Sequence, residues 1–278
     1  MKYKIGEVSR ILNIPIDTIR YLEKKNIVNP SKDSNNYRFY EAWDINFLTE
    51  YKKFRSFDFS VPEVEEILHS DNLENFIGRI SKRQKYFEDK LKYYTFLKQK
   101  NQKYLDSLNN IKKNLWKCSF TECPSIYYFI HRFNYKYAGK EKFDGLFETW
   151  LNYFPFIDTI VEMQLDAVMN RDTNNNYEWG FSIKKKYADA FNIPLNSDKV
   201  NHVKSTQSVY TVICAGEKGS FSLKLLNKAL EFIEDNGCEL AGNVIGNLLA
   251  RVHEPNGYFR YIEVWLPVKK LINFKQTY

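Results

Sequence analysis

From Asp71 to Trp116 the chain runs without a proline and with a single glycine, Gly78. Few architectures accept such a stretch other than one long helix. Within it, Leu73, Ile77, Ile80, Gln84, Phe87, Leu91, Tyr94, Lys98, Asn101, Leu105, Leu108, Lys112 and Leu115 alternate by four and three, and nine of these thirteen are apolar. That spacing is a coiled-coil seam. One chain cannot bury such a seam alone, so it predicts a homodimer, with Lys98 and Asn101 as polar interruptions that set the register. The same pattern also suits a long helix lying on its own carboxyl-terminal domain. Either way the rod separates two further parts, and 278 residues suffice for two cores.

The part before the rod opens with two short helices. Ile5 to Leu12 sets Ile5, Val8, Ile11 and Leu12 on one face. Ile14-Pro15-Ile16-Asp17 interrupts it, and Pro15 suits the first turn of a new helix because that position needs no backbone donor. The second helix extends to about Asn26. It buries Ile16, Ile19 and Leu22 and turns Thr18, Arg20, Tyr21, Lys24 and Lys25 outward. A second helix in this arrangement enters the DNA major groove. A packed helix pair in any α domain gives the same periodicity. Asp44 to Phe57 and Ser60 to Leu68 read as two more helices; Ser60 with Glu63 forms a capping box, and Lys52, Lys53 and Arg55 are candidate phosphate partners.

The order of three motifs goes further. Ile5-Gly6-Glu7-Val8, Thr18-Ile19-Arg20-Tyr21-Leu22-Glu23 and Tyr37-Arg38-Phe39-Tyr40, with Pro30 before the last and Phe59 to Val64 after it, resemble the MerR family of bacterial transcription regulators over residues 3 to 68. The resemblance implies a winged helix-turn-helix that binds double-stranded promoter DNA through Thr18, Arg20, Tyr21, Lys24, Tyr37, Arg38 and Tyr40. It further implies an antiparallel homodimer, and a DNA distortion that realigns the elements read by RNA polymerase. Two positions depart from the family pattern. Leu22 replaces a second Tyr and so lacks a hydroxyl that could meet a phosphate, and Asn36 replaces the wing Gly, whose left-handed backbone Asn tolerates best.

Charge is distributed in keeping with this. The net +7 is not in the head: basic and acidic residues number 11 and 11 over residues 1 to 69, 12 and 5 over 70 to 117, and 18 and 18 over 118 to 278. The first 40 residues are nonetheless locally basic, with 8 against 4, which suits salt-dependent phosphate binding. No apolar run approaches a membrane span and the first residues lead straight into a helix, so a cytoplasmic protein without membrane contact is expected. Four cysteines without repeated close spacing make no disulfide framework.

The last 160 or so residues read as two successive strand-helix-strand-strand units. The first comprises Ser125 to Phe133, a helix from Lys142 to Phe154, Ile157 to Met169 and Tyr177 to Lys186, with a turn at Asn174-Asn175-Asn176. The second comprises Ser205 to Ala215, a helix from Ser220 to Asn236, Gly242 to His253 and Tyr258 to Val268, with a turn at Glu254 to Gly257. The closing run Tyr261 to Val268 and the Gly216-x-x-Gly219 lead into the second helix resemble the GyrI-like effector domain of multidrug-sensing MerR-type regulators. On a strand Tyr261, Glu263 and Trp265 share one face. A carboxylate between two aromatic rings suits a flat organic cation, because the ring faces attract positive charge and the acid neutralises it. An exposed strand acid beside a core tryptophan is the plainer alternative. Tyr153, Tyr177, Trp179 and Tyr210 are further candidates for lining a cleft. No acid lies between Gly242 and Val252, where cation-binding relatives carry a second one, and Arg251 stands there instead.

The fold class expected is therefore multidomain α and α+β: a DNA-binding winged helix-turn-helix at 1–70, a coiled-coil dimerisation helix at 71–117 and a GyrI-like effector-binding domain at 118–278. The activity expected is ligand-responsive transcription regulation, with an activator's promoter distortion and a small aromatic or cationic effector. Cys118 and Cys123 offer metal or redox sensing as an alternative, and a GyrI-like hydrolase is another. The chain has no Gly-x-Ser-x-Gly elbow, phosphate-binding loop or His-rich metal motif, so no catalytic residue, resident metal or cofactor is expected.

Overall fold

The computed structural model describes residues 2–33, 37–134, 136–139, 143, 145–171, 177–195 and 198–271. They divide into two compact units, Met1–Tyr93 and Tyr94–Tyr278, and the boundary falls inside the long helix. Among the described residues no helix is long and apolar enough to cross a membrane.

In the first unit α1 (Ile5–Leu12) stops at Asn13, which takes the left-handed conformation with φ of 49°. Pro15 then fixes the extended entry to α2 (Ile16–Lys24). Strands β1 (Ser31–Lys32) and β2 (Arg38–Phe39) pair antiparallel, with Ser31 opposite Phe39. Asn36 lies outside the described residues. Helix α3 (Ala42–Ser56) follows, and α4 (Val61–His69) starts with the anticipated capping box: the Ser60 N–H donates to Glu63 at 2.6 Å. Val8, Ile14, Ile19, Leu22, Ile27, Tyr40, Leu48, Phe54, Phe59 and Val64 form one core. Each such side chain, taken from water, contributes about 1.5–3 kcal/mol. Ile16 is not among them; at the first position of α2 it faces solvent.

The long helix, α5 (Leu73–Asn109), is shorter than its pattern suggested. It breaks at Asn110 and is followed by one turn, α6 (Ile111–Asn114). Along α5 the seam is unburied: Leu73 is 74 % exposed and Leu91 71 %, and Ile77, Ile80, Phe87, Tyr94 and Leu105 are also exposed. Leu108 and Leu115 leave the seam and pack with Ile111 against Val212 and Leu249. The end of the rod thus lies on the carboxyl-terminal domain, the second of the two arrangements anticipated for it.

The second unit is an antiparallel sheet. Its strands are β3 (Ser119–Glu122), β4 (Ile126–Phe133), β5 (Lys136–Tyr137), β6 (Ile157–Met163), β7 (Tyr177–Lys184), β8 (Asn201–Val203), β9 (Gln207–Ala215), β10 (Cys238–Leu240), β11 (Val244–Glu254) and β12 (Gly257–Lys270). The spatial order is β3-β9-β12-β11-β6-β7-β4-β5, with β10 on β12 and β8 on β4. Strands β11 and β12 are joined through Pro255-Asn256, as the sequence indicated. The segment expected to be strand from Ile157 to Met169 leaves the sheet after Met163 and turns into helix α8 (Leu165–Met169). The helix expected over 142–154 is described as α7 (Leu146–Leu151), and the turn at Asn174 to Asn176 lies outside the described residues.

Helix α9 (Lys185–Phe191) follows β7, where the sequence offered no helix signal. A 3-10 turn at Leu223–Leu226 leads into α10 (Asn227–Asp235). One sheet face, with Val161, Trp179, Val209, Ile213, Ile262 and Val264, packs on the α10 side chains Ala229, Leu230 and Ile233. Trp150 of α7 packs edge-on against Phe129 on that same face. The opposite face carries Tyr210 and Val212 of β9, Tyr261, Glu263 and Trp265 of β12, and Asn247 of β11, as the register of the pairs requires.

Candidate functional site

The outward face of α2 presents Arg20, Tyr21, Lys24 and Lys25, with Thr18 half-buried. Arg20 donates to Asp17 at 3.1 Å, but both are open to solvent. Such a surface pair contributes little, so the guanidinium exchanges readily for a phosphate or a base edge. Beside this helix Tyr37 is 69 % exposed, and its N–H donates to Asp33 at 2.8 Å.

Glu23, which the sequence reading did not single out, ties the two pieces together. Arg38 Nε donates to one of its carboxylate oxygens at 2.6 Å and the Tyr40 hydroxyl donates to the other. Tyr40 is fully buried. Burial, reinforced by the hydrogen bond to Glu23 and its negative charge, pushes its hydroxyl well above the ordinary tyrosine value. Tyr40 is therefore not a surface group that meets DNA but the bolt between α2 and the β1-β2 ribbon. Leu22 is fully buried too, so the change from Tyr alters the core rather than a phosphate contact. The basic residues of α3 have partners within the chain: Lys52 donates to the Leu12 carbonyl at 2.6 Å and Arg55 to the Phe59 carbonyl, while Lys53 pairs with Glu50 at 2.6 Å in a solvent-exposed pair that, like Arg20–Asp17, contributes little.

In the second unit Glu263 is only 8 % exposed. Asn247 Nδ2 donates to its Oε1 at 2.9 Å, and the Tyr210 hydroxyl donates to Oε2 at 3.4 Å. Burial raises its carboxyl above the ordinary value; Asp158 adds to the rise, while the Asn247 bond, Lys184 and Tyr210 oppose it. Tyr210 is pushed up to about 12, by burial first and then by Glu263. Tyr210 and Trp265 rings lie 5.6 Å apart, and Tyr261 packs beside Val212 and Leu249. The carboxylate with aromatic flanks anticipated on β12 is thus present, and it is enclosed rather than open.

The end of α5 packs on this same sheet face. The Tyr104 hydroxyl donates to the Leu249 carbonyl at 2.6 Å, and Phe96 packs edge-on against Tyr187. Lys100 Nζ lies 2.5 and 2.6 Å from the two oxygens of Asp158, on β6. Asp158, Asn247 and Lys100 were not selected from the sequence. The available signal was alternation on β6 and β11, where polar residues interrupt otherwise apolar strands. Another missed acid, Glu162, is buried on β6, where Tyr128 and Asn243 donate to the same oxygen at 2.7 and 2.8 Å. As the sequence indicated, residues 242–252 carry no acid; Asp158 and Glu162 stand one strand away, on β6.

Three predicted ligand contacts are not brought to Glu263. Tyr177 and Trp179 project to the helix-covered face and pack on Phe221, 4.6 and 5.6 Å between ring centres. Tyr153 lies in the turn after α7. Cys118 and Cys123 also diverge: Cys118 packs against the α10-side core, whereas Cys123 lines a small apolar cavity with Ile126, Ile245 and Trp265. Burial raises the Cys118 thiol, which disfavours the thiolate a soft metal needs. Among the described residues no group of three or more His, Cys, Asp or Glu is placed to hold a metal ion.

Residues 3–71 match the family model for MerR HTH family regulatory proteins. The amino-terminal segment is similar to the MerR HTH domain. Within it the chain is 38% identical over 64 residues to the HTH-type transcriptional regulator HmrR of Rhizobium leguminosarum bv. viciae, covering 23% of this chain and 50% of that protein. It is 34% identical over 73 residues to the ZntR homolog of Haemophilus influenzae, covering 26% and 52%. The chain spans about half the length of the curated relatives it matches. A cryo-EM structure of an EcmrR–DNA complex covers 97% of this chain and 100% of its own, at 15% identity and a TM-score of 0.38, too remote a likeness to argue from. The MerR-type domain is where Arg20, Tyr21, Lys24 and Tyr37 are exposed together.

Proposed function

We propose that this chain is a ligand-responsive MerR-type transcription regulator. It binds double-stranded promoter DNA as a homodimer, places α2 in the major groove and Tyr37 and Arg38 of the wing against the backbone, and presents the promoter to RNA polymerase in a distorted form. The observation that carries this reading is the exposed Arg20, Tyr21, Lys24 and Lys25 face of α2 inside the segment that matches the MerR model. The unburied seam on α5 supports the homodimer, because a second copy removes Leu73, Ile77 and Leu91 from water. The working organisation is 1–70 for reading DNA, 71–117 for pairing and 118–278 for sensing, the last built from two strand-helix-strand-strand repeats that share one sheet. Such a protein works in the cytoplasm.

The sensing site in this proposal is Glu263 with Tyr210, Tyr261 and Trp265. A buried carboxylate beside aromatic rings suits a cationic effector with an apolar body. For the effector to act, it must bind the activating conformation more tightly than the other. The test uses the DNA upstream of the gene and the full chain. Arg20→Ala weakens binding about tenfold, as loss of one good groove contact does, while circular dichroism stays unchanged. Equal affinity of the variant and the parent at moderate salt would remove Arg20 from the interface.

A further inference from the structure

Not every hydrogen-bond acceptor around Glu263 is satisfied, although Asn247 and Tyr210 donate to it and Lys184 acts on it electrostatically. Glu263 takes one bond from an amide and one long one from Tyr210. Asn247 spends its amide hydrogens toward Glu263, and its Oδ1 is buried with no hydrogen-bond partner among the described residues. A buried acceptor left in this state costs free energy that a donor arriving in a ligand recovers. Next on the same face, diagonal to Asn247 across the β11-β6 pair, stands Asp158, because Asn247 is opposite Ile160 and side chains two apart share a face.

Asp158 is already filled by a protonated amine, that of Lys100. The ammonium touches both carboxylate oxygens, and both side chains are mostly buried, at 15 % and 20 % exposure. Lys100 comes from α5, which also meets the second unit through Tyr104 on the Leu249 carbonyl, Phe96 on Tyr187 and Leu108 on Val212 and Leu249. The face therefore shows, within the molecule itself, what kind of cation it accommodates. An ammonium has three donors and no acceptor. A quaternary ammonium or phosphonium carries the charge but offers no hydrogen to Asn247 Oδ1.

We propose that the effector's charged group is an N–H-bearing ammonium that binds Glu263 and the free Asn247 oxygen and competes with the Lys100 ammonium for this acidic face, so that its arrival loosens the end of α5. This rests on the reading of Glu263 as the sensing site and names the ligand class and the residue that ligand displaces.

The experiment titrates the full chain with dansylcadaverine, a fluorescent primary amine, and with its trimethylammonium analogue, which keeps the charge and loses every N–H. The primary amine is expected to bind at least tenfold more tightly, the factor associated with one charge-assisted hydrogen bond. Lys100→Met is expected to raise amine affinity severalfold, and amide hydrogen exchange over residues 96–108 is expected to quicken when the amine binds the parent protein. Lys100→Arg, which retains the charge, controls for a folding effect and keeps the parent affinity within a factor of about two. Equal binding of the two probes, with both lost in Glu263→Gln, would overturn the N–H requirement and leave the cation site standing. Binding of the amine that is indifferent to Glu263→Gln would remove the site itself. Unchanged affinity in Lys100→Met, with unchanged exchange in α5, would overturn the displacement.

Discussion

Tyr40→Phe separates two roles that the sequence alone could not distinguish. If Tyr40 contacts DNA, removing its hydroxyl weakens operator binding and leaves the fold alone. The structure requires the reverse. The hydroxyl is buried and donates to the Glu23 carboxylate, a hydrogen bond to a charged acceptor that is worth about 1.5–3 kcal/mol. Glu23 keeps its 2.6 Å bond to Arg38, so the carboxylate is not orphaned and the cost lies near the lower end of that range, about 1.5 kcal/mol. An opening equilibrium of α2 then shifts roughly tenfold, which amide hydrogen exchange of peptides covering residues 16–24 reads directly in the full chain. The pH dependence has a definite sign. Because the folded-state value of Tyr40 lies above its ordinary 10.0, its contribution is complete below pH 10 and is lost as pH rises through the folded-state value. The difference between parent and Tyr40→Phe therefore narrows above pH 10. Unchanged exchange combined with weakened DNA binding would refute the structural role and return Tyr40 to the interface.

Three further outcomes follow from the packing. Gly180→Ala places a Cβ 2.1 Å from the Phe129 carbonyl oxygen, a backbone atom that cannot swing aside, and should cost about 3 kcal/mol or more; loss of the near-ultraviolet tryptophan signal at normal expression checks it, and a native spectrum with parent stability counts against the tight β4-β7 approach. Glu263 has a raised carboxyl, so its stabilising effect is complete below the ordinary 4.5 and is lost as pH rises through the folded-state value; urea unfolding should show the parent gaining on Glu263→Gln with acidification, while affinity for a cation changes the opposite way. Leu91→Glu touches a seam residue that is 71 % exposed, so it should leave the helix content unaltered and shift sedimentation from dimer to monomer; a persisting dimer would move the pairing surface elsewhere.

Periodicity was enough to place α1, α2, α3 and α4, because Val8, Ile19, Leu48 and Val64 recur at helical spacing on faces that share one core. It was not enough for Ile16, which has the right residue type but sits at the first position of α2, before that face turns inward. On β7 the alternation of Tyr177, Trp179 and Phe181 correctly indicates a strand. Which of its faces is covered by helix depends on Phe221, more than forty residues away, and no local pattern reports that. The same holds for the acidic face: Glu263 was legible from its aromatic neighbours on β12, whereas Asp158 and Asn247 meet it only through the order β12-β11-β6. Lys100 reads as a solvated charge on a long helix until the 2.5 Å approach to Asp158 is known. Glu23 was hidden for a related reason, since its partners lie 15 and 17 positions on.

The central claim is that the exposed face of α2 reads DNA and that a dimer reads it twice. In vitro selection of the full chain against a random duplex library tests this most directly. The account predicts enrichment of an inverted repeat, bound by a dimer with affinity that falls steeply as salt rises, and loss of that enrichment in Arg20→Ala. A library that emerges without a repeated half-site, or one that Arg20→Ala enriches equally well, would contradict it.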